Sequence, residues 1–318
     1  MRKTVLCGRL ASQIALGCLP FREDDEEHWR RLLDTYFEHG GNFIDTAHAY
    51  GGGASERIVG RWIEDRGVRD EVILLTKGCH PEHGEWWRVR PEAIERDLAE
   101  SLERLRVDVI DIYLLHRDDP RVGVDELIDC LNEQKRAGRI KYFGASNWRV
   151  ERIVEANAYA RSKGLDGFAI SSPNLSLAEP KENLWRDCIT VTRGELEWHE
   201  ATQFPLLAWS AQARGFFSGR YEPGRVLDPF IARVYDSPEN WERLRRARLL
   251  AEAKGVEPIQ IALAYVLCQP FPVFAAIGPE TEMQLLSSMK AAEIHLAPGE
   301  LRWLDGRSTE LPHGEFGT

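Results

Sequence analysis

The chain has 318 residues, of which 43% are hydrophobic, and its formal net charge at pH 7 is −10. This length can bury one large core or two ordinary ones, and a negative chain without a basic stripe disfavours nucleic acid or an anionic membrane surface as a partner. The six cysteines are scattered without a CxxC pair, which is typical of a reduced compartment, so we expect a cytoplasmic protein.

The most apolar stretch of the chain, residues 259–277, is interrupted by Pro270 and Pro272. A membrane span needs about 20 consecutive apolar residues, so this stretch predicts a helix followed by a strand. The start Met1-Arg2-Lys3 lacks the long apolar core of a secretory signal. No association with a membrane is expected.

Strand and helix signals alternate along the chain. The helical pattern 26–39 ends at Gly40-Gly41, Pro91 opens the next long helix, and Asp125 opens one that stops at Gly138. The predicted strands are 13–17, 42–45, 72–77, 109–116, 140–146, 167–171, 205–209 and 273–277.

This order predicts parallel strands joined by right-handed crossovers, and eight such units close most naturally into a (β/α)8 TIM barrel. An open doubly wound sheet is the alternative. The segments 177–194 and 215–240 are predicted as long loops at the carboxyl-terminal face, where loops of this length are usually functional. Since no linker composition or internal repeat is present, residues 1–318 are expected to form a single domain.

Polar side chains follow several of these strands at the same end. Asp45, Lys77 and His116 end the second, third and fourth predicted strands, and Tyr50 stands five residues after Asp45 beside glycines 51–53. The carboxyl ends of barrel strands share one face, where barrel active sites lie, so these side chains are expected to converge. A phenol is a poor acid near neutrality unless a nearby cation such as Lys77 lowers its pKa. The arrangement suggests proton chemistry, although Asp45 and Lys77 taken alone could form a structural ion pair.

Four segments in order resemble the aldo-keto reductase superfamily: GGNFIDTAHAYGGGASERIVG (40–60), VILLTKG (72–78), SLERLRVDVIDIYLLHRDD (101–119) and GRIKYFGASNW (138–148). The resemblance implies an NAD(P)(H)-dependent oxidoreductase that reduces aldehydes and ketones, or oxidises alcohols or sugars. It also implies a catalytic tetrad of Asp45, Tyr50, Lys77 and His116. Tyr50 would exchange a proton with the substrate oxygen, and His116 would donate a hydrogen bond to the same oxygen while a nicotinamide supplies hydride.

The resemblance also implies contacts to the cofactor. Ser146 and Asn147 correspond to the pair that holds the nicotinamide carboxamide, and Ser171 stands where the family usually has a glutamine. Trp209 corresponds to an aromatic residue that stacks on the nicotinamide ring, and Arg214 to the charge of a loop that wraps the pyrophosphate. The full set is Cys18, Ser146, Asn147, Ser171, Trp209, Ser210, Ala211, Gln212, Arg214, Gly215, Phe216, Gly278, Glu280, Gln284, Ser287 and Ser288.

At the adenosine end, the segment 276–284 carries no cation that could pair with a 2′-phosphate. Glu280 and Glu282 would repel that phosphate, whereas a carboxylate can accept from a ribose 2′-hydroxyl. The sequence therefore favours NAD(H) slightly over NADP(H), although an arginine of the 215–240 loop could still reach a phosphate. Ser287 and Ser288 replace the Glu-Asn pair that the family often uses on adenine.

The substrate is expected to be a small carbonyl compound or a sugar, because aromatic walls suit both. Predicted substrate contacts are Leu19, His80, Trp87 and Trp148, although several of the ten tryptophans are expected only to pack loops. His80-x-x-His83 has metal-like spacing, but no motif supplies further ligands and Pro81 opposes a helical pair, so no metal is expected.

Two other functions stay open. One is a non-catalytic, nucleotide-sensing or regulatory barrel, which would bind a cofactor without turnover. The other is a lyase that uses Lys77 as a Schiff-base amine.

Overall fold

A computed structural model describes residues 1–82, 84–226 and 228–310. Eight parallel strands in these ranges form a closed barrel in the order β10-β3-β4-β5-β6-β7-β8-β9, and β1 and β2 form a separate antiparallel hairpin. The strands are β1 Lys3–Leu6, β2 Arg9–Ser12, β3 Ile14–Gly17, β4 Phe43–Asp45, β5 Ile73–Gly78, β6 Ile110–Leu115, β7 Ile140–Ser146, β8 Ser171–Ser172, β9 Leu206–Ala208 and β10 Val273–Ile277.

Helices alternate with the barrel strands and cover the outside of the barrel. They are α1 Glu26–Glu38, α2 Ala54–Arg66, α3 Pro91–Leu105, α4 Val124–Arg136, α5 Val150–Lys163, α6 Arg193–Thr202, α7 Pro229–Val234, α8 Pro238–Lys254, α9 Pro258–Leu267, α10 Glu282–Lys290 and α11 Pro298–Leu304. No helix among the described residues is long and apolar enough to cross a membrane. The predicted (β/α)8 barrel is confirmed, and each of the eight predicted strands contributes to it.

The alternation of strand side chains divides the core into two layers. Residues such as Phe43, Leu75 and Phe274 fill the barrel interior, whereas their neighbours Ile44, Leu74 and Val273 pack against the helices. This buried sheet explains why the strands appear in the sequence as nearly continuous apolar runs.

The β1–β2 hairpin is absent from the sequence prediction. Its turn uses Cys7 and Gly8 with φ of 50° and 77°, and Leu6 joins the interior cluster of the barrel. Arg9 donates to the carbonyl oxygens of Val72 (3.1 Å) and Asp70 (2.7 Å), just before β5 begins. The hairpin therefore closes the amino-terminal end of the barrel, opposite the predicted site.

The predicted 215–240 loop is partly helical, which corrects the sequence interpretation. It contains α7 and the start of α8, and a 3-10 helix, Ala213–Ser218, overlaps its beginning. Asp228 accepts hydrogen bonds from the first backbone N–H groups of α7, and Ser237 caps α8 in the same way. Pro229 and Pro238 thus begin helices, a role that proline fills well at the first turn. Of the predicted 177–194 loop, residues 177–192 contain no helix or barrel strand, but α6 begins two residues earlier than predicted, at Arg193.

Candidate active site

The structure brings Asp45, Tyr50, Lys77 and His116 to one rim of the barrel. The Lys77 ammonium Nζ lies 2.5 Å from Asp45 Oδ1, 2.9 Å from the Thr46 carbonyl oxygen and 3.2 Å from Tyr50 Oη. The ring centroids of Tyr50 and His116 are 5.7 Å apart. A single ammonium group therefore links a carboxylate to a phenol, and an imidazole stands beside the phenol.

Local backbone geometry explains the position of Tyr50. The following glycines, Gly51 to Gly53, have φ of 59°, 61° and 87°. Residues other than glycine rarely adopt backbone angles in this region. A Cβ atom on Gly53 would lie 2.8 Å from Arg104 Cζ. The glycines thus let the chain turn tightly from β4 into α2 and leave the phenol over Lys77.

Burial controls the protonation of this cluster. Burial lowers the pKa of the Lys77 ammonium, but the Asp45 carboxylate and the Tyr50 oxygen raise it above its usual value overall. Burial lowers the pKa of His116 well below its usual value, and the nearby His80 and Arg117 lower it further. Lys77 is therefore charged and His116 neutral near pH 7.

The predicted lowering of the Tyr50 pKa is wrong for this structure. Burial raises the pKa of the phenol above its ordinary value, and the charge of Lys77 only opposes that rise. The half-buried phenolate would lose more hydration to the surrounding side chains than one ammonium group restores. Tyr50 is therefore a protonated phenol throughout the neutral range.

Ser146 and Asn147 lie at the end of β7, beside His116, and bond mostly to the protein. Ser146 Oγ donates to the Ser172 carbonyl oxygen (2.8 Å). The Asn147 amide donates to Ser146 Oγ and to the His116 carbonyl oxygen, each at 3.1 Å, and accepts from the Ile189 N–H at 3.2 Å. The side-chain oxygen Oδ1 of Asn147 keeps one lone pair that can accept a hydrogen bond from a further donor.

The predicted cofactor contact at Ser171 is wrong for its side chain. Ile170 packs in the barrel interior, so alternation turns Ser171 outward, where its hydroxyl lies 3.2 Å from His199 Nε2 on α6. Ser172 has the inward position instead, and its Oγ is buried without a hydrogen-bond partner among the described residues. Two-residue alternation from Ile170 is the sequence signal that identifies Ser172.

The residues at this rim fit a nicotinamide group. The buried side-chain atoms that have no hydrogen-bond partner within the described part of the chain include three at this rim, His116 Nδ1, Ser172 Oγ and Trp209 Nε1. Buried polar atoms normally find partners, and unpaired ones point to a missing ligand or to a functional site. These three atoms belong to residues at the ends of β6, β8 and β9, where a carboxamide could pair with them.

The model of the aldo/keto reductase family matches residues 13–306. The chain belongs to the aldo/keto reductase family. It is an oxidoreductase, and aldo-keto reductases use NAD(P)H.

Named relatives of this aldo-keto reductase support the assignment. It is 30% identical over 318 residues to a norsolorinic acid reductase of Aspergillus flavus, covering 94% of this chain and 78% of that protein. It is 27% identical over 323 residues to an aryl-alcohol dehydrogenase (NADP(+)) of Phanerodontia chrysosporium, covering 94% and 83%. A crystal structure of a thermostable aldo-keto reductase with the inhibitor epalrestat superimposes with a TM-score of 0.77 at 26% identity, covering 97% of this chain and 100% of that chain.

The predicted pyrophosphate loop of this aldo-keto reductase has an unusual backbone. Ser210, Ala213, Arg214 and Gly215 have φ between 47° and 83°, which turns the chain sharply after Trp209. The Arg214 guanidinium is exposed and lies 4.5 Å from the centroid of the Phe230 ring. It is therefore available to an anionic ligand, whereas the buried side chains of Ala211 and Phe216 belong to the core.

The predicted adenosine contacts divide into two groups. Gln212 Nε2 donates to Ser288 Oγ at 3.1 Å and so joins the loop to α10. Ser287 faces another way, since its Oγ donates to Glu257 Oε2 at 2.8 Å, and its prediction as an adenine contact is wrong for its side chain. Neighbouring helix residues point about 100° apart, so one helix face cannot present both serines.

The remaining predicted cofactor contacts lie at the same end of the molecule. Gln284 Oε1 accepts from the Glu280 N–H at 2.7 Å, and Gly278 is exposed. The Cys18 thiol is fully buried and donates to the Leu16 carbonyl oxygen at 3.6 Å. Its backbone is engaged as well, since its N–H donates to the Asp45 carbonyl oxygen at 2.8 Å and its carbonyl oxygen accepts from Ser55 Oγ at 2.9 Å, and the cofactor contact at Cys18 stays a prediction.

The predicted substrate contacts differ in exposure. Leu19 is 47% exposed, the His80 ring lies 4.7 Å from the His116 ring, and half-buried Trp87 packs under Arg121 at 4.7 Å. Trp148 is only 2% exposed. Its indole donates to the Arg117 carbonyl oxygen and packs on Phe168, so the prediction of Trp148 as a pocket residue is wrong.

Metal ligation gains no support from the predicted histidine pair, because His83 lies outside the described residues. In the described ranges, His48, Glu82 and Asp97 form a group with ligand-like spacing. Asp97 is already bound by the buried guanidinium of Arg88 at 2.8 Å, and His48 Nε2 lies 2.8 Å from Glu100 Oε2. The absence of a metal stays a prediction.

Proposed function

We propose that this enzyme reduces aldehydes or ketones with NAD(P)H and that Tyr50 donates the proton. The observation that carries the proposal is the position of Lys77 Nζ between Asp45 Oδ1 (2.5 Å) and Tyr50 Oη (3.2 Å). A charged donor beside the phenol favours the phenolate that remains after proton transfer. Asp45 holds that ammonium in place.

The proposed roles follow from the protonation states. Ser146, Asn147 and Trp209 would hold a nicotinamide, which would supply the hydride for the carbonyl carbon. Tyr50 Oη gives its proton to the carbonyl oxygen, and Lys77 stabilises the resulting phenolate. Neutral His116 donates a hydrogen bond to the same oxygen as negative charge grows there. Because burial raises the pKa of Tyr50, the phenol holds the proton that carbonyl reduction needs.

We propose an aromatic carbonyl compound, rather than a sugar, as substrate. Trp185 is 39% exposed, and its ring lies 5.6 Å from Trp209 and 5.6 Å from Phe230. Trp87 adds an aromatic surface on the neighbouring loop. Such surfaces stack on flat apolar rings, and one relative is an aryl-alcohol dehydrogenase.

We further propose a slight preference for NAD(H). Glu280 and Glu282 are exposed at the start of α10, and neither forms an ion pair with a lysine or arginine among the described residues. Two free carboxylates oppose a 2′-phosphate. One relative is an aryl-alcohol dehydrogenase named for NADP(+). A preference for NAD(H) would therefore distinguish this enzyme from part of its family. A cytoplasmic location remains a proposal from the cysteine pattern.

Replacement of Tyr50 by phenylalanine tests the proposed proton donor. We expect Tyr50→Phe to bind NADH or NADPH as wild type does, by quenching of tryptophan fluorescence, and to lose about 10²- to 10⁴-fold in kcat for aromatic aldehydes. The matched control is Tyr142→Phe, which removes an exposed phenol on β7. Wild-type turnover in Tyr50→Phe would exclude Tyr50 as the donor.

The same assays test the two alternative functions. Cofactor binding without turnover of any aldehyde in wild type would favour the nucleotide-sensing barrel. Borohydride trapping of a substrate on Lys77 would favour the lyase.

A further inference from the structure

Arg117 is a cation beside the candidate site that has no carboxylate partner among the residues the structure describes. It follows His116 directly, and its Nη1 donates to the His116 carbonyl oxygen at 3.0 Å. Its Nη2 lies 3.3 Å from His80 Nε2, and the His80 ring is 4.7 Å from the His116 ring. The guanidinium therefore lies at the edge of the same cluster that contains Tyr50.

The other arginines of the surrounding loops differ from Arg117 in one respect. On the loops and helix starts after β5, β6 and β7, carboxylate partners lie within 3.0 Å of Arg88, Arg90, Arg121, Arg149 and Arg152. Arg117 forms no ion pair within residues 1–82, 84–226 and 228–310, and its Nε is buried without a hydrogen-bond partner. The adjacent Asp118 and Asp119 are bound by Arg152 and Arg121 and leave the Arg117 charge uncompensated.

The histidines near Arg117 cannot balance its charge. His80 Nδ1 lies 2.9 Å from the Pro81 carbonyl oxygen, so Nδ1 carries the proton and Nε2 accepts from Arg117. Burial and Arg117 lower the pKa of His80 to about 4, which leaves the ring neutral at pH 7. Lys77 is compensated by Asp45. At this rim Arg117 therefore keeps a positive charge that no ion pair in the described ranges compensates, in a chain whose net charge is −10.

We propose that Arg117 binds an acidic group of the substrate, so that the preferred substrates are aromatic carbonyl compounds that carry a carboxylate. This inference rests on the proposed carbonyl reduction and names the substrate class of that site. A guanidinium with free N–H groups binds a carboxylate through two parallel hydrogen bonds. Such binding also compensates a half-buried charge that is costly to leave unpaired.

A matched pair of aldehydes tests this role. The acid is 4-formylbenzoate and the neutral partner is its methyl ester, and kcat/KM is measured for both with wild type, Arg117→Met, Arg117→Lys and Arg245→Met. Arg245 is an exposed arginine of α8 that pairs with Glu242 and controls for loss of one positive charge.

The ratio of kcat/KM for the acid to that for the ester separates binding from positioning. We expect Arg117→Met to lower this ratio about 10- to 100-fold, as expected for loss of a hydrogen bond to a charged group, Arg117→Lys to keep part of it, and Arg245→Met to keep all of it. If Arg117 only positions His80 and His116, both substrates lose rate equally, and an unchanged ratio in Arg117→Met overturns the proposal.

Binding of benzoate keeps the test independent of turnover. Titration calorimetry with benzoate and with methyl benzoate should give tighter binding of the anion to wild type and no such difference in Arg117→Met. Equal binding of benzoate to both proteins would overturn the anion site even if the enzyme reduces aldehydes. Selective benzoate binding without reduction of either aldehyde would support the anion site and contradict the proposed function instead.

Discussion

At the scale of single residues, Lys77 has both a structural and a proposed catalytic role. Its ammonium is buried with the Asp45 carboxylate 2.5 Å away, and removing one member of a buried pair leaves the other charge without compensation. We expect Lys77→Met to lower the free energy of unfolding by about 3–5 kcal/mol. Urea denaturation measures this loss.

The double variant Asp45→Leu/Lys77→Met separates the two roles. Without either charge, most of the lost stability should return, because the uncompensated carboxylate is gone. Carbonyl reduction should stay absent, since the phenolate of Tyr50 would lack its cation. A single variant as stable as wild type would contradict the buried ion pair.

His80 makes stability depend on pH in a defined direction. Its pKa is lowered from 6.5 to about 4, first by burial and then by Arg117. Between these two pH values, His80 therefore binds a proton more readily in the unfolded chain than in the folded protein. The free energy of unfolding should therefore fall as pH falls from about 6.5 towards 4, by no more than about 1.4 kcal/mol per pH unit for this group.

Urea denaturation at several pH values compares wild type with His80→Gln. The variant lacks the titrating ring, so its stability should fall less steeply in that window, while the acidic residues contribute equally to both proteins. Parallel curves for the two proteins would show that His80 protonates equally easily in the folded and unfolded chains.

At the scale of secondary-structure elements, the β1–β2 hairpin closes the barrel away from the candidate site. Leu6 is 1% exposed and packs in the interior cluster, whereas Leu10 on the other strand is 61% exposed. We expect Leu6→Ala to lower the free energy of unfolding by about 2–5 kcal/mol because it leaves a cavity. Leu10→Ala should change it by less than about 0.5 kcal/mol.

Kinetics of the same variants separate stability from function. Below the unfolding temperature, kcat of Leu6→Ala should stay near the wild-type value, since the hairpin lies at the opposite end of the barrel from Tyr50. A large fall in kcat without unfolding would contradict this separation of a stabilising end from a functional end.

The hairpin also marks the limit of prediction from the sequence. Buried parallel strands appear as apolar runs between helix signals, so all eight were predictable. Each strand of the hairpin has only four residues, KTVL and RLAS, which are too few to distinguish a strand from a loop by periodicity. The inward position of Ser172 was missed because a strand of only two residues gives the alternation from Ile170 little support in the sequence.

At the scale of the whole molecule, the barrel assembles the site from segments far apart in sequence. Strand ends β4, β5 and β6 bring Asp45, Lys77 and His116 together, as the pattern of polar residues after apolar runs predicted. Burial of Trp148, the unpaired charge of Arg117 and the net rise in the Tyr50 pKa were not predictable, because each depends on neighbours that approach only in the folded chain.

Cofactor binding should stabilise the entire barrel, because the proposed contacts extend from β7 to α10. A ligand at about 100 times its dissociation constant stabilises a protein by about 2.7 kcal/mol, which for a chain of this size should raise Tm by about 3–8 °C. Thermal unfolding at equal concentrations of NADH and NADPH therefore ranks the two cofactors.

We expect the larger shift in Tm with NADH, because the carboxylates of Glu280 and Glu282 repel a 2′-phosphate. In Glu280→Gln the shift with NADPH should grow relative to that with NADH. A larger shift with NADPH in wild type would reverse the proposed preference, and no shift with either would contradict nicotinamide binding itself.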